Sequence, residues 1–561
     1  MPWVLLAVAL AVSFAIRIQV PEVVLANAGH DDQLQVRLAH TLRGGQWLGP
    51  FDTLILAKGP GYPIFIWLTS DLGLPIKAAE GLVQVLAALL VALVVARLGG
   101  GGLLAAMAGA LVAFDPAYLG DEASRLNRTA FYSSVCLALV AATALAAMPA
   151  RGTGGRVRLV GSILGQAVVG VVVGVLGAVY WVTREERPWL LPTLVVVAAG
   201  LLLLGVRRRP GAARWRVLAP PLVALVAAAA VALGAVAQIT ERNQERYGFA
   251  GVSDFAEGGF PELYKALSAV DVNSPRQFVP VSAQQRSAAY TASPTFAMLR
   301  DELEVGAANW VYGGCVTYGV CDDYSGGWFA WALRDAVAAQ LGPAPDARPY
   351  QAYMSQAAKE IRAACGISYA CRNSGPSFVP DLRAVAASEI ASATARGAVA
   401  LVRFRTGQVA EAGADPAMWA HVAATVEGIA ATAEEQPSTA PPGVVEWRRG
   451  LSAVLGVLLT LLAVPALAGM TVAVARGVAG SRGIGLLALA ATVAVTARLG
   501  LLVIIDTTSF PAVSNGYLLP AFDLALLAVL LGTWCLAVFV VDRRRGSRVA
   551  KGPSLIERTR S

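Results

Sequence analysis

Residues 189–206 read WLLPTLVVVAAGLLLLGV, eighteen positions without a charge, bracketed by Arg187 on one side and Arg207-Arg208-Arg209 on the other. The hydrocarbon core of a bilayer takes a helix of about 20 mostly apolar residues. The stretch therefore predicts a membrane span with its basic end held at one surface. Comparable runs lie at 2–20, 77–97, 102–116, 129–148, 159–181, 217–237, 449–475, 483–505 and 517–541, of which 102–116 is short and Gly-rich. The chain of 561 residues is 56% hydrophobic and only 15% charged, where a soluble protein carries about 25% charged residues. The expected fold class is an all-α polytopic membrane protein of about ten transmembrane helices.

The formal net charge of +8 raises the question of nucleic acid, and its placement argues against one. The basic clusters are Arg151/Arg156/Arg158, Arg207/Arg208/Arg209/Arg214/Arg216, Arg476/Arg482 and Arg543/Arg544/Arg545/Arg548/Lys551. All lie in short connectors or in the tail, whereas the polar region from about 240 to 445 is near neutral or slightly acidic. Positive charge flanking spans marks the cytoplasmic side. Ten crossings then put both termini in the cytoplasm of a cell whose inner (plasma) membrane holds the chain. A cleaved signal peptide ending near Ala26-Asn27-Ala28 is the alternative for the first run. It is disfavoured, because no basic residue precedes the run and the small-residue site lies about ten residues beyond it.

This topology divides the chain into four parts. Residues 1–237 form an N-terminal transmembrane module, expected to be the catalytic one, with outer loops at 21–76, 117–128 and 182–188. Residues 238–448 form an extracytoplasmic, mainly helical domain. Residues 449–541 add the C-terminal transmembrane helices, with a last outer loop at 506–516, and 542–561 is a basic cytoplasmic tail. In the outer domain Phe260–Ala269, Thr295–Asn309, Trp328–Leu341, Tyr350–Ala364, Pro380–Phe404 and Pro416–Glu434 carry apolar residues at helical spacing. A Pro/Ser/Thr-rich linker, Glu434 to Pro442, follows. Cys315, Cys321, Cys365 and Cys371 all fall in this domain, and an even set on an oxidising face predicts disulfides. Local pairing, 315 with 321 and 365 with 371, is the first expectation. Zinc is the rival, but the only histidine there, His421, is remote and CxxC spacing is absent. Cys136 and Cys535 lie within spans, as small apolar fillers.

Chemistry is expected in the outer loops. Asp31 and Asp32 follow the first span, and after them Leu34, Leu38 and Leu42 recur every fourth residue. That stripe suits a helix lying flat on the membrane, apolar side down. One aspartate suffices as an N-cap. Two side by side repel unless a cation or proton donor is near. Lys58, one of five lysines, stands in Ala57-Lys58-Gly59-Pro60-Gly61-Tyr62-Pro63, a stiff turn that offers a point charge to a phosphate oxygen. Headgroup snorkelling is the plain alternative. In the second outer loop Arg125 and Arg128 are three apart and share a helix face, against the positive-inside trend. Asp121 and Glu122 are available to neutralise them, and Asn127-Arg128-Thr129 forms a glycosylation sequon of little weight. The third turn runs Thr183-Arg184-Glu185-Glu186-Arg187. It reads either as a solvated salt-bridge cluster or as a place where Glu185 or Glu186 joins Asp31 and Asp32 around a divalent ion. His30 and His40 are candidate acid/base groups, and Tyr62 and Tyr517 are candidate walls of the same site. Charged groups look almost absent from the middles of spans, clustering instead at their ends.

These residues together resemble the GT-C superfamily of membrane glycosyltransferases of the polyprenyl-phosphate-sugar-dependent type, which includes protein O-mannosyltransferases and the aminoarabinose transferase of lipid A. The resemblance rests on Asp31-Asp32, the surface helix after them, and Lys58-Gly59-Pro60-Gly61-Tyr62-Pro63, which is similar to a Lys-Pro-Pro-Leu-Tyr segment of the latter enzyme. It implies that Asp31 or Asp32 acts as base on the acceptor or helps to bind a metal. It also implies that Lys58 contacts lipid phosphate. The family pair is often Asp-Glu, and Gly59 stands where the first proline is usual, so the subtype stays open.

The expected function is transfer of a sugar from a polyprenyl-phosphate carrier to an extracytoplasmic acceptor (a cell-envelope glycan, lipid or protein) by inverting displacement. Lys58, Arg125 and Arg128 would bind the lipid phosphate, and a divalent cation (Mg or Mn) is the one cofactor entertained. Two other readings stand beside it. One is a transporter or flippase of lipid-linked glycans, which requires ionisable groups in mid-span. The other is a non-enzymatic envelope scaffold that depends on the cysteines.

Overall fold

The computed structural model describes residues 1–20, 30–120, 123, 125–149, 156–207, 213–272, 275–372, 382–403, 440–476 and 481–549. The Ala26-Asn27-Ala28 site, Asp121, Glu122, His421, the helix expected over 416–434 and the end of the tail lie outside them. Among the described residues nine helices are long and apolar enough to cross a membrane, and Pro2–Arg17 (α1) is a shorter apolar helix. The chain is thus a helical, multi-pass membrane protein. The long helices are Ile76–Arg97 (α4), Gly101–Ala113 (α5) continued by a 3-10 turn at Pro116–Leu119, Arg128–Ala147 (α6), Arg156–Thr183 (α7), Leu191–Arg207 (α8), Ala213–Tyr247 (α9), Pro442–Arg476 (α16), Arg482–Thr508 (α17) and Asn515–Val549 (α18).

Helix α6 is the centre of the bundle, buried along nearly its whole length. Its run of Ala, Ser, Thr and Leu lets neighbours approach closely, which is how helices gain contact where lipid competes for apolar surface. The same device joins α7 to α9, where Gly170 and Gly174 lie against the backbone of Ala224 and Ala228. A Cβ on either glycine would collide with that backbone. The helix ends that flank the basic connectors meet at one end, where Gly205 lies against Pro149 and Gly483 against Leu98. The opposite end, which carries residues 238–272, 275–372 and 382–403, is here called the outer end.

Two short helices lie at the outer end before α4: Asp32–Arg43 (α2) and Gly61–Asp71 (α3). The leucine stripe of α2 does not face lipid. Leu34, Leu38 and Leu42 are buried with Leu48, Ile55, Leu56, Tyr247 and Phe249. Helix α9 runs on past the membrane to Tyr247 and offers α2 an apolar protein surface, so the amphipathic pattern was sound and its assigned neighbour was not.

The outer domain is built from Gly259–Ala269 (α10), Ala283–Ala292 (α11), Ala308–Tyr318 (α12), Trp328–Leu341 (α13) and Arg348–Ala363 (α14) around one apolar core. The helix expected over 295–309 is broken. A short turn at Pro294–Ala297 and a π-helical turn at Glu302–Gly306 take its place. Helix Ala387–Arg403 (α15) leaves this core and packs on α16 and α17, with Gly397 against Leu499 and Arg396 paired to Asp506 at 2.6 Å. Cys315 is bonded to Cys321 and Cys365 to Cys371, with Cα separations of 4.3 and 5.4 Å, and Cys136 and Cys535 are free and buried.

Candidate active site

The first outer loop, the segment before α6 and the α7–α8 turn converge on one charged cluster. Asp31 holds the N-cap position of α2, yet its side chain makes no capping hydrogen bond. It pairs with Lys58 instead. Asp32, fully buried, receives Arg125 through Nε and Nη2 at 2.8 Å, and Arg125 Nη2 also lies 3.9 Å from Asp31. The two aspartates have therefore separated in role. The Asp31 side chain is 52% exposed while that of Asp32 is 0% exposed, so of the two only Asp31 presents a carboxylate to the surroundings.

The turn that carries Lys58 is held by close backbone approach. A Cβ at Gly59 would collide with the Val182 carbonyl and one at Gly61 with the Thr183 hydroxyl, so both positions must stay bare for the turn to sit on the end of α7. Gly59 N–H then donates to Glu185 Oε1 at 3.3 Å. Arg128 donates to the same oxygen at 2.8 Å and to the Thr183 carbonyl at 3.0 Å. Glu186 is ion-paired to Arg184 at 2.8 Å and accepts both terminal nitrogens of Arg498 at 3.3 Å. Arg498 is wholly buried, donates to the Tyr517 carbonyl at 2.9 Å, and lies over the Trp189 ring. Arg184 stacks over Tyr132 and Tyr517.

The electrostatics follow from this packing. Burial alone would raise Glu186, but Arg184, Arg498 and Arg128 outweigh it and hold the carboxyl down to about 2. Glu185 is likewise held below the ordinary value, chiefly by Arg128 working against burial. Burial, then Arg128, pulls Lys58 well below the ordinary lysine value, and Glu185 opposes them. Asp31 at its tip also favours the charged form, and we take the ammonium as charged while that pair is intact. Lys58, Arg125, Arg128, Arg184 and Arg498 thus surround Asp31, Asp32, Glu185 and Glu186 with one positive charge to spare.

Three expectations need correction. Tyr62 is no cavity wall: it is fully buried, its hydroxyl donates to Glu80 at 2.9 Å, and it packs on Phe65 and Phe131. Tyr517, by contrast, is half-buried beside Arg184. Glu185 and Glu186 turn to arginines rather than to Asp31 and Asp32, and among the described residues no three of His, Cys, Asp and Glu gather as metal ligands. A donor set for Mg or Mn is not assembled among the described residues. His30 is wedged against Trp331 and Trp310 at ring distances of 4.5 and 5.4 Å, where burial lowers its basicity.

The third correction concerns buried charge: Arg498 and Asp523 lie well inside their helices, while Arg17, Glu80 and Asp115 stand near helix ends as expected. Arg17, Glu80, Asp115, Asp523 and Arg498 are buried among the helices. A single charge in a long apolar run is the signal that was available for Arg498 and Asp523. The outer domain also contributes more than expected. Ser253 and Asp254 hydrogen-bond Ala57 and Leu56 at 3.0 and 2.9 Å, and Arg334, buried against Asp254 at 2.7 Å, reaches the Thr53 carbonyl. The domain thereby fixes the loop that carries Lys58. An apolar groove of about 520 Å³ opens between α5, α16 and α18, lined by Met107, Phe114, Trp447, Leu455 and Leu459 among others. No family model, curated protein or solved structure matches this chain.

Proposed function

We propose that this protein is a membrane glycosyltransferase of GT-C type that moves a sugar from a polyprenyl-phosphate carrier to an acceptor at the outer end. The observation that carries the reading is the exposed Asp31 carboxylate held against a buried Lys58 within a cluster of surplus positive charge. A lipid-linked phosphodiester is a monoanion that such a cluster accommodates at a membrane surface, the second negative charge appears on the phosphate as the sugar leaves, and no nucleotide sugar is available there. The apolar groove suits a lipid chain.

The chemistry balances with these groups alone. Phosphate oxygens take up Lys58 and Arg128 and so release Asp31, since a carboxylate freed from a cation is the better base. Asp31 removes the proton from the acceptor hydroxyl. The oxygen attacks the anomeric carbon from the face opposite the phosphate. The carbon–oxygen bond to phosphate breaks, its electron pair leaves with the polyprenyl phosphate, and the configuration inverts. The cations stabilise charge where it collects in the transition state. In nanodiscs supplied with polyprenyl-phosphate mannose and a mixed glycan acceptor, Asp31→Asn is expected to lower transfer by about 10²–10⁴-fold. Lys58→Ala is expected to weaken donor capture by about tenfold or more. Transfer at the wild-type rate by both variants would overturn the proposal.

The buried charges at Arg17, Glu80, Asp115 and Asp523 favour a second reading, a transporter of lipid-linked glycans. It predicts that Asp523→Asn abolishes flipping of such a lipid while Asp31→Asn leaves it intact.

A further inference from the structure

Two carboxyl groups meet inside the helix bundle, away from the outer cluster. Asp115 follows α5 and is 1% exposed, and Asp523, two turns into α18, is 2% exposed. Asp115 Oδ1 accepts from Ala117 N–H at 2.8 Å. Asp523 Oδ2 accepts from Gln84 Nε2 at 3.1 Å and from the Tyr118 hydroxyl at 3.0 Å. That leaves Asp115 Oδ2 and Asp523 Oδ1, both buried and both without a donor. The two side chains are within hydrogen-bonding reach of each other.

Charged groups face this pair from several elements. Arg17 of α1 donates to the Ala113 carbonyl at 3.0 Å and lies over the Tyr118 ring. Lys77 of α4 donates to the Ala123 carbonyl at 2.7 Å, and Arg448 of α16 to the Pro116 carbonyl at 3.2 Å. Glu80 of α4 takes the Tyr62 hydroxyl, and Ser134 of α6 donates to Gln84 Oε1 at 2.7 Å, fixing the amide that serves Asp523. A void of about 10 Å³, bordered by Arg17, Lys77, Glu80 and Tyr118, lies alongside, at the limit of what one water fills.

Two ionised carboxylates in contact away from water repel strongly, and each orphaned oxygen loses its hydration without return. A single proton removes both penalties, because it neutralises one acid and becomes the missing donor to the other. We infer that Asp115 and Asp523 form an intramembrane proton-binding site, with one proton held between the two oxygens that lack donors. The proton fastens the end of α5 to α18 just before the chain turns toward Arg125 and Arg128. Its loss places two like charges at that joint. The inference stands apart from the transfer reading.

Infrared spectroscopy of the full-length protein in nanodiscs, labelled with [4-¹³C]aspartate, tests it at neutral pH. The expected result is a protonated-carboxyl C=O band that moves with the label, exchanges slowly in D2O, and vanishes in both Asp523→Asn and Asp115→Asn. An asparagine amide can donate to the remaining carboxylate, so each variant should melt within a few degrees of the wild type. Absence of the labelled acid band in the wild type overturns the inference, whatever the variants do. So does a wild-type melting temperature that rises with NaCl but not with choline chloride, because a metal cation would then occupy the site.

Discussion

The outer cluster and the intramembrane cluster contain the same kinds of side chain and are out of balance in opposite directions. At the outer rim every carboxylate has a guanidinium or ammonium within 4 Å, and positive charge is left over. Around Asp115 and Asp523 the donors are an amide, a backbone N–H and a phenol, and two acceptor oxygens are left over. The first arrangement is short of an anion and the second is short of a proton. The half-exposed Asp31 is the one acid of the outer cluster that can exchange its cation for an incoming anion cheaply, whereas buried charge is tolerated only when it is neutralised in place. Proximity to an acid therefore says little by itself; what the acid lacks indicates what the site takes.

The largest expected effect separates the adjacent aspartates. Asp32→Ala leaves Arg125 without its bidentate partner at a fully buried position and should destabilise the protein by about 3–5 kcal/mol, read as a lowered melting temperature. Asp31→Asn should move that temperature far less, because Asp31 is half exposed and the buried Lys58, whose proton is already held weakly by burial, can give it up once the pair is gone. Equal melting losses would erase the distinction between an anchoring acid and a working one.

Glu186 sharpens the same contrast through pH. Its folded-state value of about 2 lies below the unfolded 4.5. The stabilisation is therefore complete above about pH 4.5 and is lost as pH falls toward 2. The shift corresponds to about 3 kcal/mol. Glu186→Gln should remove this acid-side slope and strand Arg498; a variant with an unchanged melting profile between pH 5 and pH 3 would contradict the account.

Gly59→Ala forces a methyl group against the Val182 carbonyl. The turn must lift from α7, at a cost of about 1–3 kcal/mol, and donor binding should fall with it while the outer domain's own core is untouched. The smallest effect belongs to the disulfides. Cys315→Ser closes no large loop and should cost about 2 kcal/mol, confined to the outer domain and silent in lipid-phosphate binding.

Much of this was legible in the chain. Trp328–Leu341 forms the helix its apolar spacing predicts, and Asp31, Lys58, Arg125 and Arg128 do converge. What escaped has physical reasons. Hydropathy averaged over a span hides one charge, so Arg498 and Asp523 were absorbed into α17 and α18. A leucine stripe shows that α2 buries a face but not against what. Helix α11 is rich in Gln, Ala and Ser, with little apolar periodicity to mark it, and a capping box from Ser282 to Gln285 starts it. The buttressing of the Lys58 loop by residues 253–254 is a contact between segments some 200 residues apart, which no local pattern encodes.

The central claim is that the outer cluster holds a lipid phosphate through Lys58. Native mass spectrometry of the purified protein with polyprenyl phosphate and, separately, with the uncharged polyprenol tests it most directly. The account predicts a phosphate preference of at least about tenfold in the wild type that Lys58→Ala largely abolishes. Equal binding of the two lipids, or a phosphate preference untouched by Lys58→Ala, would contradict it.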